Sequence, residues 1–214
     1  MSGDTSLSRK AFLGVGASAL CLGAFGSAVK ALGGREGLLR PPVVKDEADF
    51  ISKCMRCYRC ISVCPTGALV PASLNDGLLE VRTPTLDFKQ GYCDFCNKCV
   101  EVCPTRIIEA CDPNDPSSGR IGVAEVVPDR CIAYFSGCVE CKDQCPYGAI
   151  TIDGSGHPLV DDGLCNGCGV CENVCPALVY RSFAGRGHRG IVIVKNREAA
   201  DALREEAGEE ALDA

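Results

Sequence analysis

Residues 54–65 read CMRCYRCISVCP, a C-x2-C-x2-C-x3-C-P run that places Cys54, Cys57, Cys60 and Cys64 ahead of Pro65. The same spacing returns at 93–104, CDFCNKCVEVCP, with Cys93, Cys96, Cys99 and Cys103. It returns again at 165–176, CNGCGVCENVCP, with Cys165, Cys168, Cys171 and Cys175. A further copy spans 131–146, where Cys131, Cys138, Cys141 and Cys145 precede Pro146. There the first gap is stretched to six residues, IAYFSG, and the other spacings are kept. The first cysteines of the four runs fall 34 to 39 residues apart, so the chain is an internal repeat.

This spacing points to iron–sulfur chemistry. A [4Fe-4S] cube has four irons, each needing one outside ligand, and soft thiolate suits them. Two-residue gaps let a short loop curl round the cube and offer three thiolates. In the bacterial run the fourth cysteine, the one before proline, serves the neighbouring cluster. The proline fixes φ and turns the chain away from helix. Sixteen cysteines in four runs supply ligands for four [4Fe-4S] clusters.

Other uses of the thiols fit less well. Disulfides would require neither the triplets nor the prolines. Structural zinc sites use two C-x2-C knuckles about 15–20 residues apart. Covalent haem needs C-x-x-C-H, and no C-x-x-C here is followed by His. No cysteine is missing from any run, which favours full cubes over a three-iron cluster. Of 18 cysteines, only Cys21 and Cys111 stand outside the runs. Cys111 lies in a loop rich in turn formers, CDPNDPSSGR, and reads as a free small residue.

Composition agrees. The chain has no Trp and only 7 Phe and 5 Tyr, so apolar burial alone does not fix the fold. A net charge of −6 speaks against nucleic acid, which demands a basic stripe. Rossmann glycines, a P-loop and a nucleophile elbow are all absent from the sequence, which points away from an enzyme. Tyr58, Tyr92, Phe95, Tyr134 and Phe135 flank the cysteines and are expected to shield clusters from water. His157 and His188 read as surface residues. Arg181, Arg186, His188 and Arg189 form a small basic stretch, read as a solvated loop.

Residues 1–31 read as an export signal or N-terminal anchor. Arg9 and Lys10 precede an Ala/Gly-rich apolar run over 11–29. The string Ser8-Arg9-Lys10-Ala11-Phe12-Leu13 is similar to the twin-arginine signal, with Lys10 where that signal has its second Arg. Clusters are built on reduced thiols, which the cytosol maintains. Export of an already folded, loaded protein would reconcile the signal with the cysteines.

The repeats divide the remainder into two units, 45–118 and 119–195, followed by an acidic helical tail over 196–214. Residues 190–195, GIVIVK, read as a strand. The expected class is α+β: tandem ferredoxin-like units with short strands and helices, stabilised by clusters. Exchange of the fourth cysteine within each unit would join Cys54, Cys57 and Cys60 with Cys103, and Cys93, Cys96 and Cys99 with Cys64. It would likewise join Cys131, Cys138 and Cys141 with Cys175, and Cys165, Cys168 and Cys171 with Cys145. A nested pairing, first run with fourth and second with third, is the alternative.

The four runs, the stretched third copy and the signal together resemble the NapG/MauM group of ferredoxin-type proteins. The stretches TPTLDFKQGYCDFCNKCVEVCP and CIAYFSGCVECKDQCP carry the likeness most closely. The resemblance implies an electron carrier, with the sixteen cysteines as ligands, on the periplasmic face of the cytoplasmic membrane. It implies a membrane partner, itself ferredoxin-like, that oxidises quinol, and a periplasmic reductase such as a molybdenum nitrate reductase as acceptor. Membrane association would come through that partner or an uncleaved N-terminus. The alternative functions are an iron–sulfur subunit of a molybdopterin oxidoreductase and a maturation factor for a periplasmic redox enzyme.

Overall fold

The computed structural model describes residues 38–44, 46–112, 115, 118–177 and 189–196. The segment 1–31 read as a signal or anchor, Arg181, Arg186, His188 and the tail beyond Asn196 lie outside the described residues.

Every element is short, and each sits where a cysteine run leaves it. Helix α1 (Glu47–Lys53) leads into the first run. Asp46 caps it, its Oδ1 accepting the Asp49 N–H at 2.7 Å, and Lys53 pairs with Asp49 one turn later. Phe50 is its fully buried anchor, under the Arg40 guanidinium at 5.1 Å. Arg40 is itself buried. It donates to Thr83 Oγ1 at 2.8 Å and to the Pro84 carbonyl at 2.9 Å, and pairs with Glu47.

Helix α2 (Arg59–Val63) carries the end of the first run, and α3 (Lys98–Glu101) the end of the second. The two pack together. Between them strand β1 (Leu69–Pro71) pairs antiparallel with β2 (Pro84–Leu86), Leu69 opposite Leu86. The second half repeats the plan. Helix α4 (Ala133–Ser136) is formed by the inserted residues of the third run. Helix α5 (Glu140–Asp143) packs on α6 (Val170–Val174), and between them β4 (Ile150–Ile152) pairs with β5 (Pro158–Val160). Asp153 fixes that hairpin turn, Oδ1 accepting the N–H groups of Ser155 at 2.8 Å and His157 at 2.9 Å. Strand β3 (Val123–Val126) pairs with β6 (Ile191–Val194), so the expected 190–195 strand is present and closes the second half.

The halves meet through named contacts. The Cys93 N–H donates to the Cys168 carbonyl at 2.8 Å, and Asn173 Nδ2 to the Phe88 carbonyl at 3.1 Å. Phe95 meets Tyr147 edge-on at 6.5 Å. Gly169 lies flat on the Phe88 ring, where a Cβ would sit 2.0 Å from Cδ1. The buried core mixes Phe50, Phe88, Phe95, Ile108, Ile191 and Ile193 with cysteines from the runs.

Candidate iron–sulfur sites

The runs do not form helices through their first three cysteines because the backbone alternates hand there. In the first run Arg56 and Tyr58 take φ of 52° and 61°; in the second Phe95 and Asn97 take 54° and 58°. In the fourth, Gly167 and Gly169 occupy the same two places with φ of 74° and 82°. Left-handed residues between right-handed ones turn successive N–H groups inward, a nest for negative charge that recurs at iron–sulfur sites. For a non-glycine residue this hand costs about 1–2 kcal/mol, so four such residues in two loops mark a demanding local geometry.

The turn after each proline does related work. Gly67, Arg106 and Gly148 each stand three residues beyond the last cysteine of a run, each with positive φ. Their N–H groups donate to the carbonyls of Cys64, Cys103 and Cys145 at 3.3, 3.2 and 3.3 Å. The chain then bends so that N–H groups of Thr66, Ala68 and Leu69 reach the Cys64 sulfur, and those of Thr105, Ile107 and Ile108 the Cys103 sulfur. Each of these sulfurs also lies 3.5 Å from a threonine hydroxyl, Thr66 or Thr105. Burial opposes ionisation at both, and these hydrogen bonds outweigh it, leaving Cys64 and Cys103 below the usual thiol value. Cys165 accepts the Ala124 N–H at 3.4 Å.

The sixteen thiols gather into four sets of three plus one. Cys54, Cys57, Cys60 and Cys103 line one hollow. Cys93, Cys96, Cys99 and Cys64 line a second, and Cys165, Cys168, Cys171 and Cys145 another. In the remaining set Cys141 lies in the field of Cys131, Cys138 and Cys175. The structure therefore brings together the exchanged pairing within each half, not the nested one.

Burial resists ionisation at several of these thiols in the protein without a metal. Burial pushes Cys60 and Cys168 up to about 11, and Cys99 and Cys141 to about 12, with neighbouring thiolates adding to each. Burial drives Cys93 and Cys171 up as well. Such a donor set is suited to a polynuclear cation that neutralises several thiolates together. Among the described residues no three Cys, His, Asp or Glu side chains converge on a single-ion site. Hollows walled by four spread thiols and inward N–H groups fit a cubane.

The sets follow one another in space. Cys99 of the second set lies in the field of Cys60 of the first, and Cys171 of the fourth in that of Cys141 of the third. The second and fourth sets meet at the junction of the halves, where the Cys93 backbone N–H donates to the Cys168 carbonyl. The spatial order is first, second, fourth, third.

Some residues sit differently from their sequence reading. Cys111 is a free cysteine, as read, but it is buried, its sulfur 3.3 Å from Asn97 Oδ1. Asn97 also accepts the Cys111 N–H at 3.1 Å and donates to its carbonyl at 2.7 Å. Phe95 is buried as expected, but Phe135 is 69% exposed and cannot shield anything, because the third-run insertion folds outward as α4. Tyr134 instead stacks on His157 at 3.8 Å. Arg189 is buried and donates to the Cys175 carbonyl, so it is no part of a solvated loop. The threonines at 66 and 105 were legible as a repeated C-P-T in the first two runs, a signal that cysteine spacing alone passes over.

The repeated nests, the exchanged fourth cysteine and the paired helices define a tandem two-cluster ferredoxin. Family models described as 4Fe-4S dicluster domains match residues 53–108 and 130–179. The chain is 33% identical over 146 residues to the ferredoxin-type protein NapF of Escherichia coli (strain K12), covering 64% of this chain and 80% of that protein. Over 182 residues it is 33% identical to the ferredoxin-type protein NapG of the same strain, 76% of this chain and 75% of that one. The methylamine utilization ferredoxin-type protein MauM of Paracoccus denitrificans (strain Pd 1222) is 31% identical over 150 residues, 64% and 66% of the two chains. The chain belongs to this family of ferredoxin-type iron–sulfur proteins. NapF is a relative that the sequence reading did not name.

Proposed function

We propose that the protein is an electron carrier that holds four [4Fe-4S] clusters, one in each set of four cysteines, and links a membrane quinol-oxidising partner to a periplasmic reductase. The observation that carries the reading is the exchange of the fourth cysteine between runs, which makes each hollow four-sided. When bound, each cluster supplies a one-electron centre. The chain's own part is to hold and tune these centres. Cysteines of each triplet grip three corners, and the cysteine before proline reaches across for the fourth. Inward N–H groups and the Thr66 and Thr105 hydroxyls meet negative charge on sulfur, and Phe95 excludes water from the second site. The clusters also tie together elements too short to stand alone.

The signal-like segment at 1–31 supports a periplasmic location reached by the twin-arginine route. The NapG and MauM relatives support a place in a respiratory or amine-utilising redox system. Anaerobic purification with iron and sulfide counts and electron paramagnetic resonance tests the reading. About sixteen irons per chain is expected from four cubes. Eight or fewer after reconstitution would refute the four-site assignment.

A further inference from the structure

The first set of thiols opens on a surface unlike the rest of this acidic chain. Arg56 and Arg59 line its hollow, together with Met55, Cys57 and Tyr58. Arg82 lies 5.3 Å over the Tyr58 ring and donates to its hydroxyl. Arg106, exposed, is the residue after Thr105, which lines the same hollow. Among the described residues none of these four arginines pairs with a carboxylate. By contrast, the hollow of the second set is lined by Asp94 and Lys98, and that of the fourth by no charged residue.

Exposed apolar side chains lie beside these arginines. Met55 is 68% exposed, and Leu78 and Leu79 are 57% and 56% exposed. Arg56 ties the pieces together, donating to the Leu79 carbonyl at 2.8 Å and the Val81 carbonyl at 3.1 Å. Cys57 is itself exposed. Exposed apolar residues beside charged ones, with Arg enriched, are features of a protein–protein interface. Its position gives it a purpose, because the first set is one end of the spatial series and carries an exposed thiol, Cys57, a property it shares with Cys96 of the neighbouring second set.

We propose that this face docks the acidic, redox-active surface of another protein, with the four arginines steering it and Met55, Leu78 and Leu79 forming the dry contact. Complementary charge of this kind sets on-rate and orientation. The proposal rests on the electron-carrier reading above, but its test does not depend on it. The anaerobically purified full chain is applied to gold carrying a carboxylate-terminated monolayer, with an amine-terminated layer as comparison. Bound mass is read by quartz-crystal microbalance, and electron exchange by voltammetry, at about 10 mM and about 0.5 M salt.

Despite its negative net charge, the protein should be held by the carboxylate layer at low salt and released at high salt. Arg59→Gln/Arg106→Gln, which touches two exposed side chains, should lower the bound amount about tenfold, while Lys142→Gln near the third set should change nothing. Circular dichroism and iron counts confirm that each variant is folded and loaded. Equal binding of the double variant and wild type would overturn the proposal, as would binding to the amine layer alone. So would arginine-dependent capture by phosphatidylglycerol vesicles without retention on the carboxylate layer, an outcome that assigns the face to lipid. Missing iron in the wild type would refute the electron-carrier reading, whereas an iron-loaded, folded wild type that ignores the carboxylate layer would refute the docking face alone.

Discussion

At the scale of the residue, the decisive atoms around each hollow are backbone N–H groups and two hydroxyls. Thr105 lies 3.5 Å from the Cys103 sulfur, and a donor to sulfur favours the extra negative charge of the reduced site. One such bond is worth about 0.5–1.5 kcal/mol, or about 20–60 mV for a single electron. Thr105→Val is therefore expected to lower one reduction potential by that amount at full iron content. A potentiometric titration followed by electron paramagnetic resonance reads it, and an unmoved potential would remove Thr105 from the sulfur's environment. Two glycines give a contrast of backbone and space. Gly148 has φ of 61° and nothing within 4 Å of an added Cβ, so Gly148→Ala should cost only the left-handed term, about 1–2 kcal/mol. Gly169 has φ of 82° and the Phe88 ring 2.0 Å away, so Gly169→Ala adds overpacking and should cost about 3 kcal/mol or more. Loss of visible absorbance in anaerobic urea titrations should come earliest for Gly169→Ala, then Gly148→Ala, then wild type. The reverse order of the variants would show that the contact with Phe88 relaxes freely.

At the scale of the element, Asn97 fastens Cys111, at the start of the 111–120 segment, to the second run. Asn97 bonds the N–H, the carbonyl and the sulfur of Cys111, and is itself well suited to the left-handed place it fills. Asn97→Ala leaves a donor and an acceptor of a buried residue unmatched and should cost about 2–4 kcal/mol. Limited proteolysis should then cut within 111–120 faster than in wild type. Cys111→Ala keeps both backbone bonds possible and should keep all its iron; loss of about four irons would make Cys111 a ligand. The cysteine runs were legible from spacing alone, and so was β6, from its β-branched run. Helix α1 carried an N-cap at Asp46, acids in its first turn and Lys53 in its last, yet its seven residues lack the several turns that make periodicity visible. Strand β3 is equally short. Its partner lies some seventy residues away across both cysteine runs of the second half, so its pairing is a tertiary fact. The grouping of arginines near the first set was hidden for the same reason. Arg56 and Arg59 belong to the first run, Arg82 to the approach to β2 and Arg106 to the turn after the second run.

At the scale of the whole molecule, the question is what holds such short pieces together. The longest described helix has seven residues and the longest strand four, lengths that are marginal or worse in isolation. Cys60, Cys131, Cys141, Cys168, Cys171 and Cys175 occupy core positions that larger apolar side chains fill in an ordinary domain. Without metal the hollows leave their wall atoms short of contacts, and the buried thiols gain nothing from ionising. Ligand binding to a folded site is itself folding free energy, as structural metal domains illustrate. Removing iron with a chelator under reducing, anaerobic conditions is therefore expected to abolish the cooperative thermal transition. Amide protection should be lost together in β1–β2, β4–β5 and β3–β6, because the Cys93–Cys168 backbone hydrogen bond and the Phe88–Gly169 contact couple the halves. Hydrogen exchange on apo and loaded samples measures this strand by strand. Were β3–β6 alone to stay protected in the apo chain, the sheet holding Ala124, Ile191, Ile193 and Val194 would be an apolar nucleus independent of iron, and the clusters would stabilise only what is built around it.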